Sequence, residues 1–142
     1  MKKLNEHEIR QLIETAIAQR AFSYAPYSGF KVGAALLAKN GTIYTGCNIE
    51  NAAYTPTNCG ERTAFFKAVS EGVRKFDAIA VVGGKGETLT DYAAPCGVCR
   101  QVMMEFCDPE EFQVIVAISP EEYQIFTLKE LLPLGFGPAN LA

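Results

Sequence analysis

The spacing of apolar positions resolves most of the chain into helical and extended segments. Near the N-terminus Ile9, Leu12, Ile13, Ala16 and Ile17 recur on one helical face, and Asn5 with Glu8 forms a capping box ahead of them. An amphipathic first helix is predicted there, broken by Ala25-Pro26-Tyr27-Ser28-Gly29. Phe30 to Ala38 and Thr42 to Asn48 then flank Lys39-Asn40-Gly41, an Asn-Gly hairpin signal that predicts two antiparallel strands. Cys59 to Glu71 carries good helix formers, with Asn58 as the expected cap, Phe65, Ala68 and Val69 as core positions and Gly72 as the stop.

Ala78-Ile79-Ala80-Val81-Val82 is a short continuous apolar run bounded by Gly83-Gly84, as a strand buried on both faces requires. Pro95 suits the first turn of a third helix through Val98, Val102, Met103 and Phe106, closed by Asp108-Pro109. Phe112 to Ile118 and Tyr123 to Leu128 read as strands whose link is too short for a parallel crossover, so they should pair antiparallel. The expectation is an α/β fold in one domain spanning residues 1–142: three layers, with a mixed sheet of roughly five strands flanked by helices. Gly83 to Tyr92 is expected as a surface loop.

Composition narrows the function. At 142 residues and 49% apolar content the chain can build one real core. A net charge of -3 with no compensating Lys/Arg run gives no footprint for a phosphate backbone, so nucleic acid is not an expected partner. Glu6, Glu8 and Arg10 interrupt any apolar leader-like run, and no later stretch reaches membrane-spanning length. A soluble cytoplasmic protein is expected. There the five cysteines would stay reduced, which turns attention from disulfides to metal or catalysis.

Cys96 and Cys99 form a C-x-x-C after Pro95, and Cys59 opens the second helix. Helix N-termini favour thiolates over thiols, and three thiolates suit zinc with a fourth position left for water or substrate. Cys47 and Cys107 remain alternatives for a fourth thiolate, although each reads more readily as a small buried hydrophobe. The sole histidine, His7, lies outside these motifs. Glu61, two residues after Cys59, is placed to take a proton from water at the metal and return it to a leaving amine. It also fits a capping box with Asn58, and an isolated C-x-x-C would equally suit a redox pair or a structural zinc knuckle. Three thiolates make zinc net negative, so a cation should compensate; Arg62 and Arg100, each one residue after an expected ligand, are the candidates for tuning the metal.

Cys59-Gly60-Glu61 and Pro95-Cys96-Gly97-Val98-Cys99 match the zinc-deaminase signature. With Tyr24 to Leu36, Gly46 to Ala53 and Leu131 to Pro138, they make the chain resemble the small homotetrameric cytidine deaminases over most of its length. The resemblance implies one zinc per subunit, free cytidine or deoxycytidine as substrate, and hydrolysis by zinc-activated water with Glu61 as proton shuttle. By the same resemblance Asn48 and Glu50 hold ribose hydroxyls and Phe30 packs on the pyrimidine. The Gly60 amide binds the base carbonyl, an acceptor near Ala94 receives the 4-amino group, and Phe136 reaches an active site at a subunit boundary. Gly60 departs from the family's common alanine, keeping the backbone donor while loosening the helix start. A noncatalytic zinc or redox module and a deaminase of another small nucleoside are the rival readings.

Overall fold

The computed structural model describes all 142 residues. Asn5 caps α1 (Glu6–Gln19) with the expected reciprocal bonds to Glu8, and a short 3-10 turn, Arg20–Phe22, follows. β1 (Lys31–Ala38) and β2 (Ile43–Cys47) make the hairpin, then come α2 (Gly60–Ser70), β3 (Phe76–Gly84), α3 (Gly97–Phe106), β4 (Gln113–Ser119), β5 (Glu122–Thr127) and α4 (Leu128–Leu131). The sheet order is β2-β1-β3-β4-β5. Only β3 and β4 run parallel, joined through α3; the other neighbours are antiparallel. The mixed five-stranded sheet expected from sequence is thus present.

Alternate residues of the strands feed two cores. Ala35, Leu37, Ala78, Ala80, Val82, Ile115 and Ala117 pack under α1, with Leu12, Ile13 and Ala16 of that helix. Ala34, Leu36, Ile79, Val81, Val114 and Val116 face α2 and α3, around a Phe65 ring in contact with Phe76, Phe106 and Phe112. This is the period-two pattern of a sheet covered on both faces. Two glycines permit the helices to approach so closely. A Cβ at Gly33 would overlap the Ala16 carbonyl oxygen, and one at Gly46 would overlap the Gly60 carbonyl oxygen and crowd Ala64.

The helix starts differ from the sequence reading by one residue, and the difference matters. Asn58 does not cap α2: its Nδ2 donates to Thr63 Oγ1 at 3.0 Å, and Cys59 itself occupies the cap position with extended backbone, φ -78° and ψ 157°. Cys96 likewise caps α3 at φ -69° and ψ 170°, leaving Pro95 ahead of the helix instead of within its first turn. Neither sulfur bonds a helix amide. An extended cap residue turns its side chain across the mouth of the helix, so both sulfurs are available to a common centre. β3 also runs through Gly83 and Gly84, because Lys31 and Val32 of β1 pair with them.

Candidate active site

The mouths of α2 and α3 meet at the edge of the sheet formed by the end of β2, the start of β1 and the end of β3. The sulfurs of Cys59, Cys96 and Cys99 lie within 4.8 Å of one another, with Cys59 and Cys96 at 3.8 Å and Cys96 and Cys99 at 3.5 Å. Sulfurs bound tetrahedrally to zinc at about 2.3 Å stand about 3.8 Å apart, so these thiols already have the spacing of a ligand set. Cys47 is buried at the end of β2 and Cys107 packs against the core, so neither belongs to the cluster. His7 sits on α1, across the sheet.

The electrostatics favour thiolate. The Cys59 thiol is held well below its ordinary range by the hydrogen bond from Cys99, reinforced by the Arg62 guanidinium, and Cys99 is pushed up as the donating partner. Arg62 Nη2 lies 3.3 Å from Cys59 Sγ. Its Nε is buried without an acceptor, an unfavourable position that negative charge on the facing sulfur offsets. Arg100, the other expected donor to sulfur, is engaged elsewhere. Its Nε donates to Pro95 O at 2.7 Å and Nη1 to Leu131 O at 2.6 Å, ties that fasten the start of α3 to α4.

Glu61 is 4% exposed, on the inward face of the first turn of α2. Loss of water is the main cause that pushes its carboxyl up to about 7, with the neighbouring Cys59 charge adding to the rise. The capping-box alternative for Glu61 does not form, since no side chain caps α2. A proton carrier balanced near neutrality therefore stands beside the sulfur cluster.

Both Glu61 and Cys59 line a cavity of about 410 Å³, walled by Phe30, Val32 and Val81 on one side and by Tyr92, Ala93 and Ala94 on the other. Asn48 also lines it. Its side chain is tied to the backbone beneath, Oδ1 accepting from Val32 N at 2.9 Å and Nδ2 donating to Phe30 O at 2.7 Å, which leaves one proton and one lone pair. Gly60 opens α2, so its amide has no intrahelical acceptor. A Cβ there would stand 3.1 Å from Val32 Cγ1 and 3.3 Å from Val32 O, so little space is left by the missing methyl.

Glu50 and Phe136 are not brought to this cavity. The Glu50 carboxylate accepts from Tyr27 N at 2.9 Å, Ser28 N at 3.1 Å and the Ser28 hydroxyl, and so braces the turn before Phe30. Phe136 is 57% exposed, its carbonyl accepting from Gln101 Nε2 at 2.8 Å. Sequence reasoning missed the apolar wall residues Val32 and Val81 and the far wall at Tyr92 and Ala93. Their only signal was membership of strands or of a loop, which says nothing about a shared cavity.

A metal centre with room for a fourth ligand and a buried proton carrier places the molecule among the metal-assisted hydrolases as a class. The family is narrower: a family model described as the cytidine and deoxycytidylate deaminase zinc-binding region matches residues 6–116, and the chain belongs to the cytidine deaminase family. Zinc is the cofactor, and the cluster of Cys59, Cys96 and Cys99 is suited to bind it. The chain is 48% identical over 135 residues to a cytidine deaminase of Sporosarcina psychrophila, covering 95% of this chain and 96% of that one. It is 50% identical over 127 residues to a cytidine deaminase of Halalkalibacterium halodurans, covering 89% and 92%. The crystal structure of cytidine deaminase from Burkholderia pseudomallei superposes with a TM-score of 0.82 at 44% identity, covering 94% of this chain and all of that one. No helix is long and apolar enough to cross a membrane.

Proposed function

We propose that the chain hydrolyses free cytidine and deoxycytidine to uridine and deoxyuridine, releasing ammonia. The observation that carries this reading is the buried Glu61 carboxyl beside three clustered cysteine sulfurs, on a mostly apolar cavity of about 410 Å³ that Phe30 and Tyr92 also line. Cys59, Cys96 and Cys99 would hold the zinc, which would supply the Lewis acidity needed to make water nucleophilic at neutral pH. Phe30, Val32 and Val81 supply the wall against which a pyrimidine stacks, and the Gly60 N–H donates to its 2-carbonyl oxygen. An acceptor at Ala94 orients the 4-amino group. Glu61 takes one proton from the water as its oxygen bonds to C4 and gives it to N3, then takes the second from the new C4 hydroxyl and gives it to the 4-amino nitrogen, so that the C–N bond breaks, ammonia leaves and a carbonyl remains; its position near neutrality serves both acts. Arg62 withdraws charge from Cys59, keeping the three-sulfur centre electrophilic.

For the ribose, Asn48 offers its remaining donor and acceptor, while Glu50, outside the base cavity, would meet the diol only where the sugar projects towards the turn it braces. Phe136 has no part in its own chain's cavity and is exposed for a neighbouring subunit's site, in a homotetramer with active sites at the boundaries. A reducing cytoplasm keeps the five free thiols available, and pyrimidine salvage is the setting for such a reaction. Zinc analysis and cytidine turnover on wild type and Glu61→Gln test the reading. The variant should keep one zinc per chain and lose about 10³-fold or more in kcat. Zinc-loaded, folded wild type that releases no ammonia from cytidine would overturn it in favour of a structural zinc module.

A further inference from the structure

Arg20 is buried, 8% exposed, and hydrogen-bonds no carboxylate, although Glu87 lies near enough to favour its charge. Its bonds all go to backbone carbonyls: Nε to Lys31 O at 2.9 Å, and Nη2 to Gly84 O at 2.8 Å and Gly86 O at 2.6 Å. Burial disfavours its charge, and the converging carbonyls together with the nearby Glu87 carboxylate offset that cost. Sequence gave no reason to single this residue out, and none of the chemistry above uses it.

The three carbonyls do not themselves line the base cavity but lie in the segments that lead to its lining residues. Lys31 follows Phe30, whose amide donates to Ser28 Oγ at 3.0 Å and whose carbonyl accepts from Asn48, so the Phe30 backbone is fixed on both sides. Gly84 and Gly86 begin the segment that returns to the cavity as Tyr92, Ala93 and Ala94. Between the walls lies Gly83, where a Cβ would stand 2.9 Å from Phe30 Cε1 and 2.9 Å from Ala93 Cβ. The ring and the far wall are therefore packed onto one stretch of backbone. Lys31 already pairs with Gly84 in the sheet, and the guanidinium carries that join past the end of the ladder to Gly86. Phe30 also borders a second cavity, of about 380 Å³, walled by Gly83 to Gly86 and Tyr92, so the ring has space to swing if the tie is cut.

We propose that Arg20 is a positioning residue that sets the width of the base cavity by clamping the Phe30 strand to the Gly84–Gly86 segment. It governs how tightly the flat ring is held and leaves the proton transfers at Glu61 untouched. The substrate part rests on the deaminase reading; the clamp itself rests on geometry alone.

The test is steady-state kinetics on cytidine with zinc-loaded Arg20→Met and Arg20→Lys, together with amide hydrogen exchange. For Arg20→Met we expect KM to rise about tenfold with kcat within about twofold, the signature of lost uniform binding. Lysine, able to reach one or two of the carbonyls, should fall between. Exchange should quicken in residues 84–93 and spare β4 and β5. Unchanged KM in a folded variant, or exchange that rises throughout the sheet, overturns the clamp. Should neither Arg20 variant fold, Gly83→Ala presses on the same ring from the opposite side and must reproduce the rise in KM, or the proposal fails. Wild type inactive on cytidine defeats the deaminase reading instead, and the exchange pattern alone then decides the clamp.

Discussion

At the scale of single residues, the site works by placing one carboxyl out of water and one guanidinium against sulfur. Glu61 holds its proton to about pH 7 in the folded chain, whereas the unfolded chain releases it near 4.5. Between those values the folded state binds more protons, so this group's contribution to stability falls as pH rises, by about 3 kcal/mol in all, and levels off above pH 7. In zinc-free protein the urea-unfolding free energies of wild type and Glu61→Gln should therefore diverge from pH 4.5 to 7, the variant gaining. Parallel curves would mean the carboxyl is not desolvated. Arg62→Ala should lower turnover by about tenfold or more while zinc content falls little, since the guanidinium touches Cys59 and is no ligand. Equal losses of metal and turnover would reduce Arg62 to a scaffold role. Glu61 and the three cysteines were legible in sequence because their spacing is chemical. Arg62 and Arg100 were not separable there: both follow a cysteine by one residue, and only the carbonyls of Pro95 and Leu131 draw Arg100 away.

At the scale of elements, two helix starts are aimed by how closely α2 lies on β2. Gly46 sits under Gly60 and Ala64, and a methyl there would meet backbone, which has no rotamer to escape into. Gly46→Ala should cost about 2–3 kcal/mol and weaken zinc retention by tilting the mouth of α2, measured by thermal unfolding and by competition with a chelator. A stable variant with normal zinc affinity would show that α2 can slide without moving Cys59. The periodicity of α1, the Asn-Gly hairpin and the apolar run of β3 were all readable, because burial on one or both faces leaves a direct mark on residue type. The caps were readable only to within one residue. Asn58 and Pro95 are strong local start signals, yet Cys59 and Cys96 take the cap positions, so that the sulfurs turn across the helix mouths.

At the scale of the whole molecule, several large aromatic and apolar side chains are exposed, Phe22, Tyr24, Tyr27, Tyr54, Leu134 and Phe136 among them. In the proposed homotetramer, Phe136 completes a neighbour's site. Mixing Glu61→Gln subunits with Phe136→Ala subunits should then restore activity that each lacks, since a site pairing an intact Glu61 with a neighbour's Phe136 reappears. No recovery on mixing, or an active monomer on sedimentation, would remove Phe136 from the site. The sequence by itself determined the elements, their burial and the chemistry of the metal centre, because periodicity and ligand spacing are local properties that survive without a fold. Folding alone settled which residues line one cavity, which arginine reaches sulfur and which is diverted, and that Arg20 bonds carbonyls more than sixty residues further along the chain. Those contacts depend on the sheet bringing the start of β1 beside the end of β3, and no spacing along the chain encodes that adjacency.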